Sequence, residues 1–142
     1  MREVVRIVSV SLPIPPSMNR AFEARRGSHR TMRSAAYWFW SRQVKEEHGQ
    51  GEKLPALVAG KYGLWLDLPP GMRGDIDNRV KLVSDVLKWP EKTSPDTLGI
   101  VADDRLMKGL HIEFADGIPA DRCTVTLVAM AEWPRYVCMR LE

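Results

Sequence analysis

Cysteine is nearly absent from this chain. Cys123 and Cys138 are the two present in 142 residues. Their spacing matches no metal-ligand or redox motif, and they read as free thiols of a cytoplasmic protein. Histidine is equally sparse: His29, His48 and His111 are scattered, so nothing suits a zinc site. His111-Ile112-Glu113 matches half of a zinc-deaminase motif but lacks the Pro-Cys-x-x-Cys half. There is no glycine-rich phosphate loop. Asp75-Ile76-Asp77-Asn78-Arg79-Val80 fails as a calcium loop, with Arg79 and Val80 where an oxygen ligand and a glycine are required. No apolar run approaches the ~18 residues of a membrane span. Arg2, Glu3 and Arg6 interrupt the N-terminal apolar residues, so the segment is not expected to be a signal peptide.

What is present is an ordinary globular composition, 44% hydrophobic and 27% charged, in a length that fits one domain over residues 1–142. The net charge is only +3 but is unevenly spread. Arg20, Arg25, Arg26, Arg30, Arg33, Arg42 and Lys45 face a single acid, Glu23, between residues 20 and 45. A local charge of about +6 favours a polyanion, and a solvated basic loop accounts for it equally well. Residues 3–12 read as a strand stopped by Pro13, Pro15 and Pro16, followed by an irregular turn at residues 17–20. Residues 21–33 read as a mobile basic loop. Ser34 is an expected N-cap for a helix from Ala35 to His48, ended by Gly49 and Gly51, with Tyr37, Trp38, Trp40 and Val44 as its sticky face. Residues 54–68 read as one strand, or as a hairpin bent at Gly60 to Gly63. A helix then starts near Asp75 or Ile76, with one side buried, and ends at Trp89-Pro90. Residues 110–114 and 123–131 alternate as strands. The expected fold is α/β (α+β): a mixed sheet covered by two main helices, with strands at both ends of the chain.

Chemistry is concentrated in residues 73–88, where Asp75, Asp77, Asn78, Lys81 and Asp85 fall within eleven positions, followed by Asp103-Asp104. Asp77, Lys81 and Asp85 recur at i, i+4 and i+8, one stripe on the helix side opposite Val80, Val83 and Leu87. Open, oxygen-rich sites of this kind suit Mg²⁺ or Mn²⁺. Simpler readings exist for the same residues. An aspartate at a helix start is a common cap contributing ~1 kcal/mol, Asp77 with Lys81 is an ordinary helical ion pair worth ~0.2–0.5 kcal/mol, and Asp103-Asp104 is a plausible turn.

Three blocks in order resemble the RusA family of Holliday junction resolvases: Pro13-Ile14-Pro15-Pro16-Ser17-Met18-Asn19-Arg20; Asp75-Ile76-Asp77-Asn78 with Lys81 and Asp85; and Asp103-Asp104. The family's run of arginines before the first aspartate is reduced here to Arg73, and the loop from Lys88 to Ala102 is longer. The resemblance implies a homodimeric α/β endonuclease of bacteria and their phages that cuts four-way DNA junctions with Mg²⁺ (or Mn²⁺), in recombination and repair. It carries the essential carboxylates onto Asp75, Asp77 and Asp104, with Asp103 the other member of that pair, and the essential lysine onto Lys81.

On this reading Asp75, Asp77 and Asp104 hold the metal, which acidifies a water and offsets charge on the phosphate. Lys81 stabilises the same charge. Asp85 ligates, orients Lys81 or solvates the helix, and Asn78 is a possible support. Arg20, Arg25, Arg26, Arg30, Arg33 and Arg73 grip the backbone with Lys81. A two-fold dimer would match a roughly two-fold junction. The competing expectations are a catalytically inactive branched-DNA-binding protein of phage or prophage origin, and a structural module in which Asp75 is only a helix cap.

Overall fold

Val8, Val10 and Leu12 alternate with polar neighbours and turn inward from one strand, and four such strands make the main sheet of the computed structural model. The structure describes residues 3–24, 31–49, 54–58, 60–72, 76–90 and 97–142. In chain order the elements are β1 (Val4–Val5), β2 (Ile7–Pro13), a one-turn α1 (Met18–Ala21), β3 (Phe22–Ala24), β4 (Thr31–Arg33), α2 (Ala35–His48), β5 (Ala56–Leu57) and β6 (Tyr62–Leu68). A 3-10 turn, Ile76–Arg79, then runs into α3 (Val80–Leu87). A second 3-10 turn, Asp104–Leu106, leads to β7 (Met107–Phe114), β8 (Arg122–Ala129) and α4 (Trp133–Leu141).

The sheet order is β2-β8-β6-β7. β8 is antiparallel to both neighbours, and β6 is parallel to β7, so the class is mixed α/β. Parallel neighbours need a long crossover, and here it carries both 3-10 turns and α3. Pro13 closes β2 rather than merely following it, which an edge strand tolerates. Both faces of the sheet are covered, which corrects the expectation of two helices. α2 and α3 pack on the face of Leu12, Leu64, Leu66 and Val125. On the other face Trp65 and Val128 meet Tyr136, Trp133 and Val137 of α4. Every residue of β6 is therefore buried.

Ser34 caps α2 by accepting from the Tyr37 amide at 3.3 Å, and Gly49 ends it at φ 70°. Tyr37, Trp40, Ser41 and Val44 form its buried stripe. Trp38 is not part of that face: with Phe39 it is exposed. Four further expectations are corrected. Residues 3–12 are not one strand, because a bend at Arg6 sends β1 to a parallel pairing with β5. Residues 54–68 are neither one strand nor a hairpin, since β5 and β6 lie in different sheets. Phe22 and Tyr37 pack with ring centroids 5.9 Å apart, and the ends of the basic segment form the antiparallel pair β3–β4 rather than an unstructured loop. Residues 17–20 lead into the turn of helix α1 instead of an irregular turn. The chain carries a helix, α4, after its last strand.

Candidate active site

The proline segment is fixed before any side chain chemistry begins. The Trp40 indole N–H donates to the Pro13 carbonyl at 2.8 Å, and the Ile14 amide donates to the Asp121 carbonyl at 3.0 Å. The Arg79 guanidinium donates to the Pro15 carbonyl, joining the proline segment to the turn that starts α3. Ser34 donates to the Arg20 carbonyl, so the end of that block is tied to the cap of α2. The first two sequence blocks, about sixty residues apart, are thus brought together by backbone carbonyls that α2 and α3 hold.

The far end of α3 is held by a different set of bonds. The Leu98 amide donates to Val86 O at 2.7 Å, Gly99 to Lys88 O at 3.0 Å, and Ile100 to Leu87 O at 2.8 Å. Lys88 and Val101 complete a parallel bridge. This short ladder turns the chain so that Asp104 enters the field of Asp85 and of Tyr62.

Seven of the eight residues of α3 are buried, Asp85 among them; Lys81 is the exposed one. The expected open stripe is corrected at Asp85, which is 8% exposed and does not solvate the helix. Burial raises its pKa above the ordinary carboxyl value and the charge of Asp104 raises it further, while Lys81, Lys88 and Arg33 oppose the shift. Arg33 reaches this cluster from β4. Its guanidinium carbon stands 4.7 Å from the Tyr37 ring centroid and 5.4 Å from that of Trp38.

Asp103 and Asp104 are separated by role. Asp103 caps the second 3-10 turn, accepting from the Arg105 amide at 2.9 Å and from the Arg105 guanidinium at 2.8 and 3.1 Å. These bonds hold its carboxyl well below the usual range. Tyr62, at the start of β6, is a member of the site that sequence reasoning missed. Its side chain is buried, and burial first, then Asp104, pushes the phenol up to about 12, so it stays a neutral donor. The Ser84 hydroxyl lies beside it, yet the Tyr62 hydroxyl has no hydrogen-bond partner among the described residues. No spacing rule could have found Tyr62, because strand order alone puts it beside Asp104. Arg79 and Lys88 were also missed, although both lie on the motif segment itself.

Asp85 and Asp104 are two carboxylates within each other's field, and carboxylate oxygens are the ligand type a hard divalent cation takes. No group of three His, Cys, Asp or Glu that could hold a metal is gathered among the described residues. Asp75, Arg73, Arg25, Arg26 and Arg30 lie outside the described residues, as does the side chain of Asp77, whose backbone is in the first 3-10 turn. Asn78 is half-buried in that same turn, and Arg20 is exposed on α1.

A second polar cluster lies across the sheet. Buried Asp67 accepts from the Trp65 indole at 3.0 Å and from Arg140 at 2.8 and 3.1 Å. Arg140 also reaches Glu113 at 3.4 Å, and His111 contacts Glu113 at 3.2 Å. The His111-Ile112-Glu113 run thus serves to tie α4 to β6 and β7. No family model and no curated protein matches the chain. No described helix is long and apolar enough to cross a membrane.

Proposed function

We propose that the chain is a RusA-like, Mg²⁺-dependent endodeoxyribonuclease that resolves four-way DNA junctions by paired nicks, acting as a cytoplasmic homodimer in recombination and repair. The observation that carries the reading is convergence on α3. Arg79 ties the proline block to its start, and the 98–101 ladder brings Asp104 to Asp85 near its end. Three sequence blocks thus share one helix.

Asp75, Asp77 and Asp104 would hold Mg²⁺ or Mn²⁺, which supplies an acidified water and a counter-charge for the phosphate. Asp103 is committed to Arg105, which leaves Asp104 as the member of the pair facing the helix. Lys81, exposed on an otherwise buried helix, meets the phosphate. Asp85, one turn further on, is within the field of Lys81 and would orient it. Arg20 and Arg33, with the arginines outside the described residues, bind backbone phosphates, so affinity falls with salt.

The alternative, a DNA-binding protein that does not cut, uses the same exposed Arg20 and the same basic segment and differs only at the carboxylates. Cleavage of a labelled four-way junction separates the two. Paired symmetric nicks that need Mg²⁺ and disappear in Asp77→Asn are expected. Tight binding with no cutting under Mg²⁺ or Mn²⁺ would leave only the binding protein, and equal cutting of linear duplex would remove the junction preference.

A further inference from the structure

A cavity of about 630 Å³ opens between the proline segment and α2. Its walls include Pro15, Pro16, Arg20, Phe39, Trp40 and Arg79, and none of its described lining residues is a carboxylate. Three features distinguish it from an ordinary surface hollow.

Its wall is held in place, because the Pro13 and Pro15 carbonyls accept from Trp40 and Arg79. Two guanidiniums share it. Arg79 is half-buried and Arg20 exposed, and both line the same hollow. The bond to Pro15 uses one donor of a group that carries five. Two like charges lining one groove with no carboxylate among its described walls favour an anion, and a fixed guanidinium fork suits a phosphate. Finally, Phe39 lies in the wall of the groove and is 67% exposed, so its ring is open to a planar ligand.

We propose that this groove is a nucleotide subsite that holds one phosphate of a single DNA strand between Arg20 and Arg79, with a base or sugar laid on Phe39. Stacking on an aromatic beside a cationic groove is how single strands are held without sequence preference. The inference rests on the DNA reading above and deepens it: the strand gripped here is unpaired, as at the centre of an opened branch. Arg79 is two residues from both Asp77 and Lys81, so the groove leads directly to the start of α3.

The test is fluorescence anisotropy of labelled dT12 and of a blunt duplex, with the wild-type chain, Phe39→Ala and Arg20→Gln. Both side chains are exposed, so neither change threatens the fold. Phe39→Ala should weaken dT12 binding about tenfold, the effect of removing one base-stacking ring, and leave duplex binding within twofold. Arg20→Gln should lower the slope of log affinity against log salt on dT12 by about 0.7, the value for one phosphate of a single strand. Unchanged dT12 binding by Phe39→Ala, equal losses on dT12 and duplex, or no dT12 binding by the wild-type chain would each overturn the subsite. Junction cleavage by the same samples keeps the two ideas apart. Cutting with no Phe39 effect sinks the subsite alone, whereas a Phe39 effect without cutting sinks the nuclease alone.

Discussion

Asp85 is the residue at which stability and function pull apart. It is a carboxyl inside an apolar helix, and its folded-state pKa lies above the unfolded value because burial disfavours the charge. For an acid shifted upward, the folded form binds the extra proton. Stability therefore falls as pH rises from the unfolded pKa through the folded one, and at pH 7 the charged group opposes folding. Asp85→Asn is expected to raise the melting temperature at pH 7 and to lose that advantage near pH 3. On the proposed function it should also lower junction cutting at least about tenfold, the usual effect of disturbing a group behind a metal site. Melting curves at the two pH values check the first part, and cleavage rates the second. A variant less stable than wild type at pH 7 would mean that Lys81, Lys88 and Arg33 stabilise the charge more than burial opposes it.

At the scale of elements, two junctions can be tested separately. α2 is joined to β8 by Glu47 and Arg122, paired at 2.7 and 2.9 Å, with Arg122 also donating to Ser11. The hydrogen bonds from Arg122 hold the Glu47 carboxyl below its ordinary value. Its contribution is thus present above the unfolded carboxyl pKa and is lost as pH falls through the folded one. Glu47→Gln should cost about 0.2–1 kcal/mol at pH 7, the range for partly exposed pairs, and less at pH 2.5. Urea titrations at both pH values measure the difference. α4 is seated differently: Gly63 and Gly109 are register partners on β6 and β7, and a methyl group at either would stand 2.2–2.3 Å from atoms of the Trp133 ring. Gly109→Ala should destabilise the fold by about 1–3 kcal/mol through overpacking. Denaturant unfolding tests this, and an unchanged midpoint would mean that Trp133 moves aside freely.

These elements also show what was legible beforehand. The bounds of α2 followed from the Ser34 cap and the Gly49 stop, because both act locally. The full burial of α3 was not legible. Its second covering is the 98–101 ladder, and a helix stripe carries no record of a partner arriving from beyond a loop. Nor was α4, where Trp133, Tyr136 and Val137 are the residues packed on the sheet and Pro134 occupies the first turn. In the site, the carboxylates and Lys81 stood out by spacing. Tyr62 and the groove at Phe39 did not, since each is made by strand order and by the docking of the proline segment on α2.

For the molecule as a whole, the strand order decides what can fold alone. β8 lies between β2 and β6, so neither of those strands has its sheet neighbour on that side until residues 122–129 are in place. A chain ending at residue 121 would keep α2, α3 and every acid of the candidate site, yet it is expected to show no cooperative thermal transition by circular dichroism. A sharp transition in that fragment would show that β6 and β7 suffice as a nucleus. Long-range pairing of this kind is slow to form. It also sets an order of events on the ribosome. The carboxylates and basic segment are synthesised before the strand that locks their scaffold. On the proposed function, a chain interrupted before that strand would carry the residues assigned to cutting DNA without the sheet that aligns them, and it is expected to be inert rather than a poorly controlled nuclease.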